Sequence, residues 1–300
     1  AAPCKGGAAK PGAATAVSSP PPSPPEMKKI INQCIKEGIN LRHQTVVDEN
    51  RAVLPNFIII GAAKSATTTL SNALKRHPDI FISKPKEPKF FGRNYAKGWD
   101  WYISRFRKGE GIKFRGEAST MYASQLRSFR KAPKLMSIYL PDVKLIYIVR
   151  HPLERIVSQW RHYSSPGRHP NCADFSALMS DHRLRTLIVG CSMYYKRLNQ
   201  YRKFFPDEQI YCMTFEDLLD SPRSSLRKML KFIGAQPKTR KLLDADGSLP
   251  KDNQAGAKGR GHVDVPEWTP SVRQQVTRII QPDAERMLEY MGKPRDYWTL

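Results

Sequence analysis

Three hundred residues, 40% of them apolar and 10% aromatic, provide for a sizeable buried core and exclude wholesale disorder. Fifty lysines and arginines against 27 acidic residues leave a net charge of +23, which calls for an anionic partner: nucleic acid, a phosphorylated cofactor, an acidic polysaccharide or a membrane surface. Apolar runs such as Phe57–Ile60 fall far short of the ~20 residues a membrane helix needs, so a multi-span membrane protein is excluded.

Residues 1–26 are almost all Ala, Gly, Pro and Ser, with seven prolines, and read as a disordered or polyproline-like stalk. The stalk carries only Lys5, Lys10 and Glu26, so +22 of the charge belongs to the remaining 274 residues. A start at Ala1-Ala2 fits either an anchor or signal lost upstream or an arbitrary boundary. A helix is expected over 27–40 within an N-terminal helix and linker spanning 27–53, and the main domain over 54–300. Phe57–Ile60 reads as a strand buried on both faces, followed by a Gly-Ala-Ala turn and a helix over 65–76 that stops at His77-Pro78. Ile80–Ile82, Lys113–Glu117 and Val143–Val149 read as further strands, and Pro152 opens a helix reaching Tyr163. Cys191–Phe204 is expected to be helical and Gln209–Met213 extended. Ser221-Pro222 caps a helix that ends at Gly234. Residues 244–266 read as a long loop, and a last helix runs from Pro270 to Tyr290. The alternation predicts an α/β fold: three layers, P-loop-like, with a mostly parallel central sheet flanked by helices.

Cys4, Cys34, Cys172, Cys191 and Cys212 are too few and too scattered for a disulfide scaffold, though a single bridge remains open. No cluster has zinc spacing, so no metal is expected.

Two segments carry chemistry. In Phe57-Ile-Ile-Ile-Gly61-Ala-Ala-Lys64-Ser65-Ala66-Thr67-Thr68-Thr69, a buried strand turns into a helix rich in hydroxyls. Free N–H groups and the helix dipole make that turn an anion site, and Lys64 adds a full charge. The plain alternative is a strand-turn-helix with hydroxyl caps. A nucleotide P-loop needs a glycine before its lysine, and here residue 63 is Ala. In the second segment, Val149-Arg150-His151-Pro152-Leu153-Glu154-Arg155-Ile156-Val157-Ser158, Arg150 stands at the carboxyl end of a strand. An arginine fork with a serine hydroxyl two helical turns on suits a phosphate monoester. An arginine there is equally compatible with a surface ion pair. A basic residue where a magnesium carboxylate would stand disfavours a P-loop kinase.

Together the two segments resemble the phosphosulfate- and 3'-phosphate-binding motifs of sulfotransferases that use 3'-phosphoadenosine 5'-phosphosulfate (PAPS). The resemblance extends to Leu74-Lys-Arg-His77-Pro78-Asp79-Ile80, Lys86-Glu87-Pro88-Lys89-Phe90-Phe91, Asn94-Tyr95-Ala-Lys97-Gly98-Trp99, Arg115-Gly116-Glu117-Ala118-Ser119-Thr120 and Ala257-Lys258-Gly259-Arg260-Gly261-His262. These look like the Golgi carbohydrate sulfotransferases, nearest the glycosaminoglycan N-, 3-O- and 6-O-enzymes, over roughly residues 55–265. The resemblance implies that Lys64, Ser65, Ala66, Thr67 and Thr68 hold the 5'-phosphosulfate. Arg150 and Ser158 would hold the 3'-phosphate, and Lys258, Gly259 and Arg260 would close over the nucleotide. It further implies Glu87 as catalytic base, with Lys64 also catalytic; Arg93, Lys97 and Glu117 are expected as acceptor contacts, the two cations from the excess of basic charge. Glu87 between Lys86 and Lys89 is also readable as a solvated surface carboxylate. Several heparan-type members carry a lysine after the glutamate of the Glu117 segment, where this chain has Ala118. His77 and His151 are alternative bases.

The expected function is therefore sulfuryl transfer from PAPS to a carbohydrate, in particular an acidic polysaccharide steered by Arg93, Lys97, Arg105, Arg107, Lys108, Arg161 and Arg168. Rival readings are a small alcohol or lipid acceptor, or a basic nucleic-acid-binding module, for which no motif is visible. The family implies the Golgi lumen, with a type II membrane anchor outside this chain. A cytoplasmic enzyme is the alternative.

Overall fold

The structure is a computed structural model that describes residues 41–165, 174–250 and 264–300. The chain divides into two units, Ala1–Arg42 and His43–Leu300, and the sheet belongs to the second. The expected stalk, the helix over 27–40, Arg168, Cys4, Cys34, Cys172 and the loop residues Lys258, Gly259 and Arg260 lie outside the described residues.

Five parallel strands form the sheet: β1 (Phe57–Gly61), β2 (Ile80–Ile82), β3 (Phe114–Glu117), β4 (Lys144–Val149) and β5 (Ile210–Thr214), in the order β2-β3-β1-β4-β5. The continuous apolar runs follow from burial on both faces. Ile58, Ile60, Leu145, Tyr147 and Val149 join a cluster of Phe90, Phe91, Trp99, Tyr102 and Phe106 on one side. Phe57, Ile59, Ile146 and Ile148 pack against Leu70, Leu74, Met229 and Leu230 on the other. The connection after β1 leads across β3 to β2, whereas that after β4 leads to β5 on the opposite side. The chain therefore diverges between β1 and β4. The carboxyl ends of those two strands frame the crevice in which open α/β sheets bind ligands.

The helices are α1 (Leu41–Glu49), α2 (Thr67–Leu74), α3 (Gly98–Ser104), α4 (Ala132–Tyr139), α5 (Pro152–Ser164), α6 (Tyr194–Arg202), α7 (Phe215–Asp220), α8 (Pro222–Ile233) and α9 (Pro270–Tyr290), with shorter helical turns between them. Helix α8 ends on Gly234 in the left-handed region (φ 89°), whose N–H bonds back to the last turn. Helix α1 occupies part of the expected linker, and α2 begins at Thr67, two residues later than expected. The cause lies in the turn itself. Lys64 (φ 73°) and Ala66 (φ 58°) both take left-handed backbone, which cannot continue a right-handed helix. Gly61 lets this turn pass close beneath its neighbour, since a Cβ there would stand 2.8 Å from Ala123 Cβ.

Candidate active site

A cleft of about 1240 Å³ opens over the carboxyl ends of β1 and β4. One part of its lining is Ala63, Lys64, Ala66, Thr67, Thr68 and Thr69. Two non-glycine residues held at positive φ in one four-residue turn are strain of the kind concentrated at ligand sites. The turn presents the N-terminus of α2, whose first N–H groups have no acceptor within the helix. Ser65 lies under the loop, fully buried, with its Oγ hydrogen-bonded to nothing among the described residues.

Arg150 and Ser158 line the same cleft from the end of β4 and from α5. The Arg150 guanidinium lies 4.6 Å from the Phe215 ring and donates weakly to Glu154 Oε2 at 3.4 Å, while its carbonyl accepts from Tyr194 OH at 2.8 Å. Glu154 is largely exposed, so Arg150 keeps donors for an anion. Arg155, three residues before Ser158 on the same helix, does not reach the surface. It is fully buried, and its guanidinium donates to Ser192 Oγ at 2.7 Å, to the Ile188 carbonyl, and at 3.5 Å to the Ala63 carbonyl just before Lys64. A buried fork thus braces the Lys64 turn from below. No sequence signal distinguished it from the other helix cations.

Glu87 also lines the cleft, on the segment that follows β2. Its carboxylate, 27% exposed, meets Lys86 Nζ at 3.3 Å and Lys89 Nζ at 3.2 Å, and accepts from Thr120 Oγ1 at 3.4 Å. The segment is pinned to the end of β3: Ala118 N–H donates to the Lys86 carbonyl at 2.9 Å, and Lys89 N–H to Ser119 Oγ at 2.9 Å. Lys86 and Lys89 flank Glu87 in sequence, whereas Thr120 reaches it only through folding. Neither histidine competes as a base: His77 Nε2 bonds the Gln236 carbonyl, His151 Nε2 the Thr299 carbonyl, and neither lines the cleft.

The acceptor residues divide. Arg93 lines the cleft and is exposed. Lys97 does not line it, because its ammonium sits over Trp101 at 4.6 Å from the ring centre. Glu117 must be corrected as an acceptor contact: all of β3 is buried, and the Glu117 carboxylate is wholly inaccessible. It accepts from Tyr102 OH at 2.6 Å, Tyr122 OH at 3.1 Å and Ser119 Oγ. Through Ser119 it reaches the backbone of Lys89, so it supports the Glu87 segment from within.

Burial pushes the Glu117 carboxyl up to about 7, with its hydrogen bonds opposing and the Glu87 charge adding to the rise. The folded chain therefore holds a proton that the unfolded chain has lost between the ordinary carboxylate range and pH 7. Stability from this group is full below that range, falls as pH rises, and is lost above pH 7. The loss amounts to about 3 kcal/mol. Glu117→Gln, which cannot ionise, is expected to flatten that part of the unfolding profile measured by denaturant titration from pH 4.5 to 7.5. Parallel profiles for variant and wild type would contradict the assignment.

A turn with two residues at positive φ and a strand-end arginine thus meet at the crevice of a parallel α/β sheet, the position where such folds bind ligands. The Sulfotransferase domain family matches residues 54–252, two thirds of the chain, and the chain belongs to that family. Heparan sulfate glucosamine 3-O-sulfotransferase 3A1 of Mus musculus is 30% identical over 195 residues, covering 63% of this chain and 48% of that protein. The membrane-associated sulfotransferase kil1 of Dictyostelium discoideum is 40% identical over 114 residues, 37% of this chain and 23% of that protein. The chain spans about half the length of the first heparan sulfate relatives it matches. The fold is shared with a sulfotransferase from Alicyclobacillus acidocaldarius (TM-score 0.62, 23% identity, 82% of this chain and 98% of that one). Mouse SULT7A1 complexed with PAP is similar at a TM-score of 0.50 and 17% identity, over 79% and 88% of the two chains. Among the described residues no helix is long and apolar enough to cross a membrane, no acidic, histidine and cysteine group forms a metal cluster, and Cys191 and Cys212 are free thiols.

Proposed function

We propose that this chain transfers the sulfuryl group of PAPS to a carbohydrate, an acidic polysaccharide of the glycosaminoglycan type, with no metal. One observation supports this above the others: the strained Lys64 turn, the Arg150–Ser158 pair and the Glu87 carboxylate share one cleft. The residues present suit the nucleotide, since an orphaned buried Ser65 hydroxyl and the start of α2 offer donors to one anionic end. Arg150 and Ser158 offer a fork and a hydroxyl to the other. When bound, PAPS supplies an activated sulfuryl group and leaves as the nucleotide 3',5'-bisphosphate (PAP). Lys64 and the α2 N-terminus stabilise negative charge at the turn, the usual large electrostatic contribution to catalysis. Glu87 takes the proton of the acceptor hydroxyl or amine. Arg150 and Ser158 contribute positioning. Ala66, Thr67 and Thr68 complete the phosphosulfate cradle, and Lys258, Gly259 and Arg260 belong to the same proposal as the nucleotide-closing loop.

The acceptor class rests on charge and on relatives whose names specify heparan sulfate. Lys89 and Arg93 line the cleft beside Glu87, with Arg183 also on its lining, so a polyanion meets cations as it approaches. Lys97 falls to the outer surface in this reading. The corresponding compartment is the Golgi lumen, with a membrane anchor upstream of this chain.

Calorimetry in EDTA tests the nucleotide assignment. PAP is expected to bind without divalent metal and in preference to its 3'-dephosphorylated form. Arg150→Ala removes charge-assisted contacts worth roughly 1.5–3 kcal/mol, which raises the PAP dissociation constant about ten- to a hundredfold. The same variant is expected to leave the 3'-dephosphorylated nucleotide nearly unaffected. Strict magnesium dependence, preference for ATP, or an Arg150→Ala variant that binds PAP like the wild type would contradict the reading.

A further inference from the structure

Lys86 has no assigned role, yet it occupies the junction between the two halves of the machinery. Its backbone lies against residue 118, whose N–H donates to the Lys86 carbonyl at 2.9 Å. Residue 118 is a buried alanine and brings no charge to that junction. The Lys86 side chain, 17% exposed, supplies one instead. Its Nζ is 3.1 Å from Thr68 Oγ1 and 3.5 Å from Thr67 Oγ1 at the start of α2, and 3.3 Å from Glu87 Oε1. An ammonium carries three protons and no lone pair, and here its neighbours are two hydroxyls and a carboxylate.

We propose that Lys86 is a positioning residue which ties the Glu87 carboxylate to the first turn of α2, so that proton acceptor and anion cradle are held in one fixed relation. This rests on the function proposed above. Burial is the main influence on the ammonium and lowers its pKa; Lys75 and Lys89 act in the same direction, and Glu87 opposes them. Glu87 itself is faced by Lys86 and Lys89 from its own segment, by Thr120 from beyond β3, and by Glu117 beneath. Among these neighbours Glu87 is thus the one that favours the charged form of Lys86.

Two measurements on the full chain test the proposal. The first needs no turnover: in an NMR titration of isotope-labelled lysines without nucleotide, Lys86 is expected to lose its proton at lower pH than the exposed lysines. Its midpoint should fall further in Glu87→Gln. The second is kinetic. Lys86→Met, which keeps most of the aliphatic stem, is expected to lower kcat about ten- to a hundredfold with PAP affinity within about threefold. Lys86→Arg, which restores the charge, should recover most of kcat. Lys86 titrating with the surface lysines and unmoved by Glu87→Gln, a fully active Lys86→Met, or equal losses of PAP affinity in the Met and Arg variants would each overturn it. A wild-type chain that transfers no sulfuryl group would instead sink the function reading, while the titration still decides whether Lys86 and Glu87 are coupled.

Discussion

Replacing Glu87 with glutamine is expected to lower kcat by ~10²–10⁴-fold while PAP binds as it does to the wild type. The substitution keeps the size of the side chain and an oxygen that accepts from Thr120 and from the two lysines, so the segment after β2 has little reason to move. What disappears is the ability to take a proton and a charge that faces Lys86 and Lys89 at 3.3 and 3.2 Å. In the proposed function, the ground-state nucleotide contacts lie on the other elements of the cleft, at the Lys64 turn and at Arg150 and Ser158. Turnover and affinity should therefore separate. A surface carboxylate, the competing reading of Glu87, predicts near-normal turnover for Glu87→Gln on its best acceptor. That result would remove Glu87 from the mechanism.

Lys64→Ala is expected to damage both quantities. Loss of one charge-assisted contact weakens PAP binding about ten- to a hundredfold. Loss of a cation where charge develops costs a further ~10²–10³ in kcat, by analogy with removal of one oxyanion donor. The backbone provides an internal control. Lys64 already stands at φ 73°, so alanine bears the same conformational cost as lysine and the turn should persist. The variant is expected to unfold within a few degrees of the wild type, and Ser158→Ala should weaken PAP binding less than Arg150→Ala does. A Lys64→Ala enzyme with intact PAP affinity and turnover would show that the anion site lies elsewhere.

The centre of the sheet was legible because β1 and β4 are buried on both faces and written as nearly unbroken apolar runs. Phe57–Ile60 and Val143–Val149 differ from β1 and β4 by a single residue each, and α9 has the expected bounds. The short helices α1, α3, α4 and α7 carry too few residues for a clear period and are held by what they pack against. The late start of α2 was hidden because its left-handed residues are lysine and alanine, not glycine. Within the site, the two nucleotide motifs are local in sequence, so their residues could be named together. Glu87 stands out through its motif, but its contact with Thr120 links positions 33 apart. Glu117 read as a polar residue at a strand end, and burial of the whole of β3 turned it into an internal support. Lys86 looked like a flanking charge because nothing in the sequence signals that its ammonium meets Thr68, 18 residues earlier.

Transfer of labelled sulfuryl from PAPS, in EDTA, to a panel of chemically desulfated polysaccharides tests the central claim most directly. The panel should include heparan-type chains, neutral glucans and a small alcohol. Label is expected in the acidic glycosaminoglycan fraction, with formation of one PAP per sulfuryl transferred and transfer slowed ~10²–10⁴-fold in the Glu87→Gln variant. Label appearing in the small alcohol alone, or PAP binding without transfer to any polysaccharide, would contradict the account.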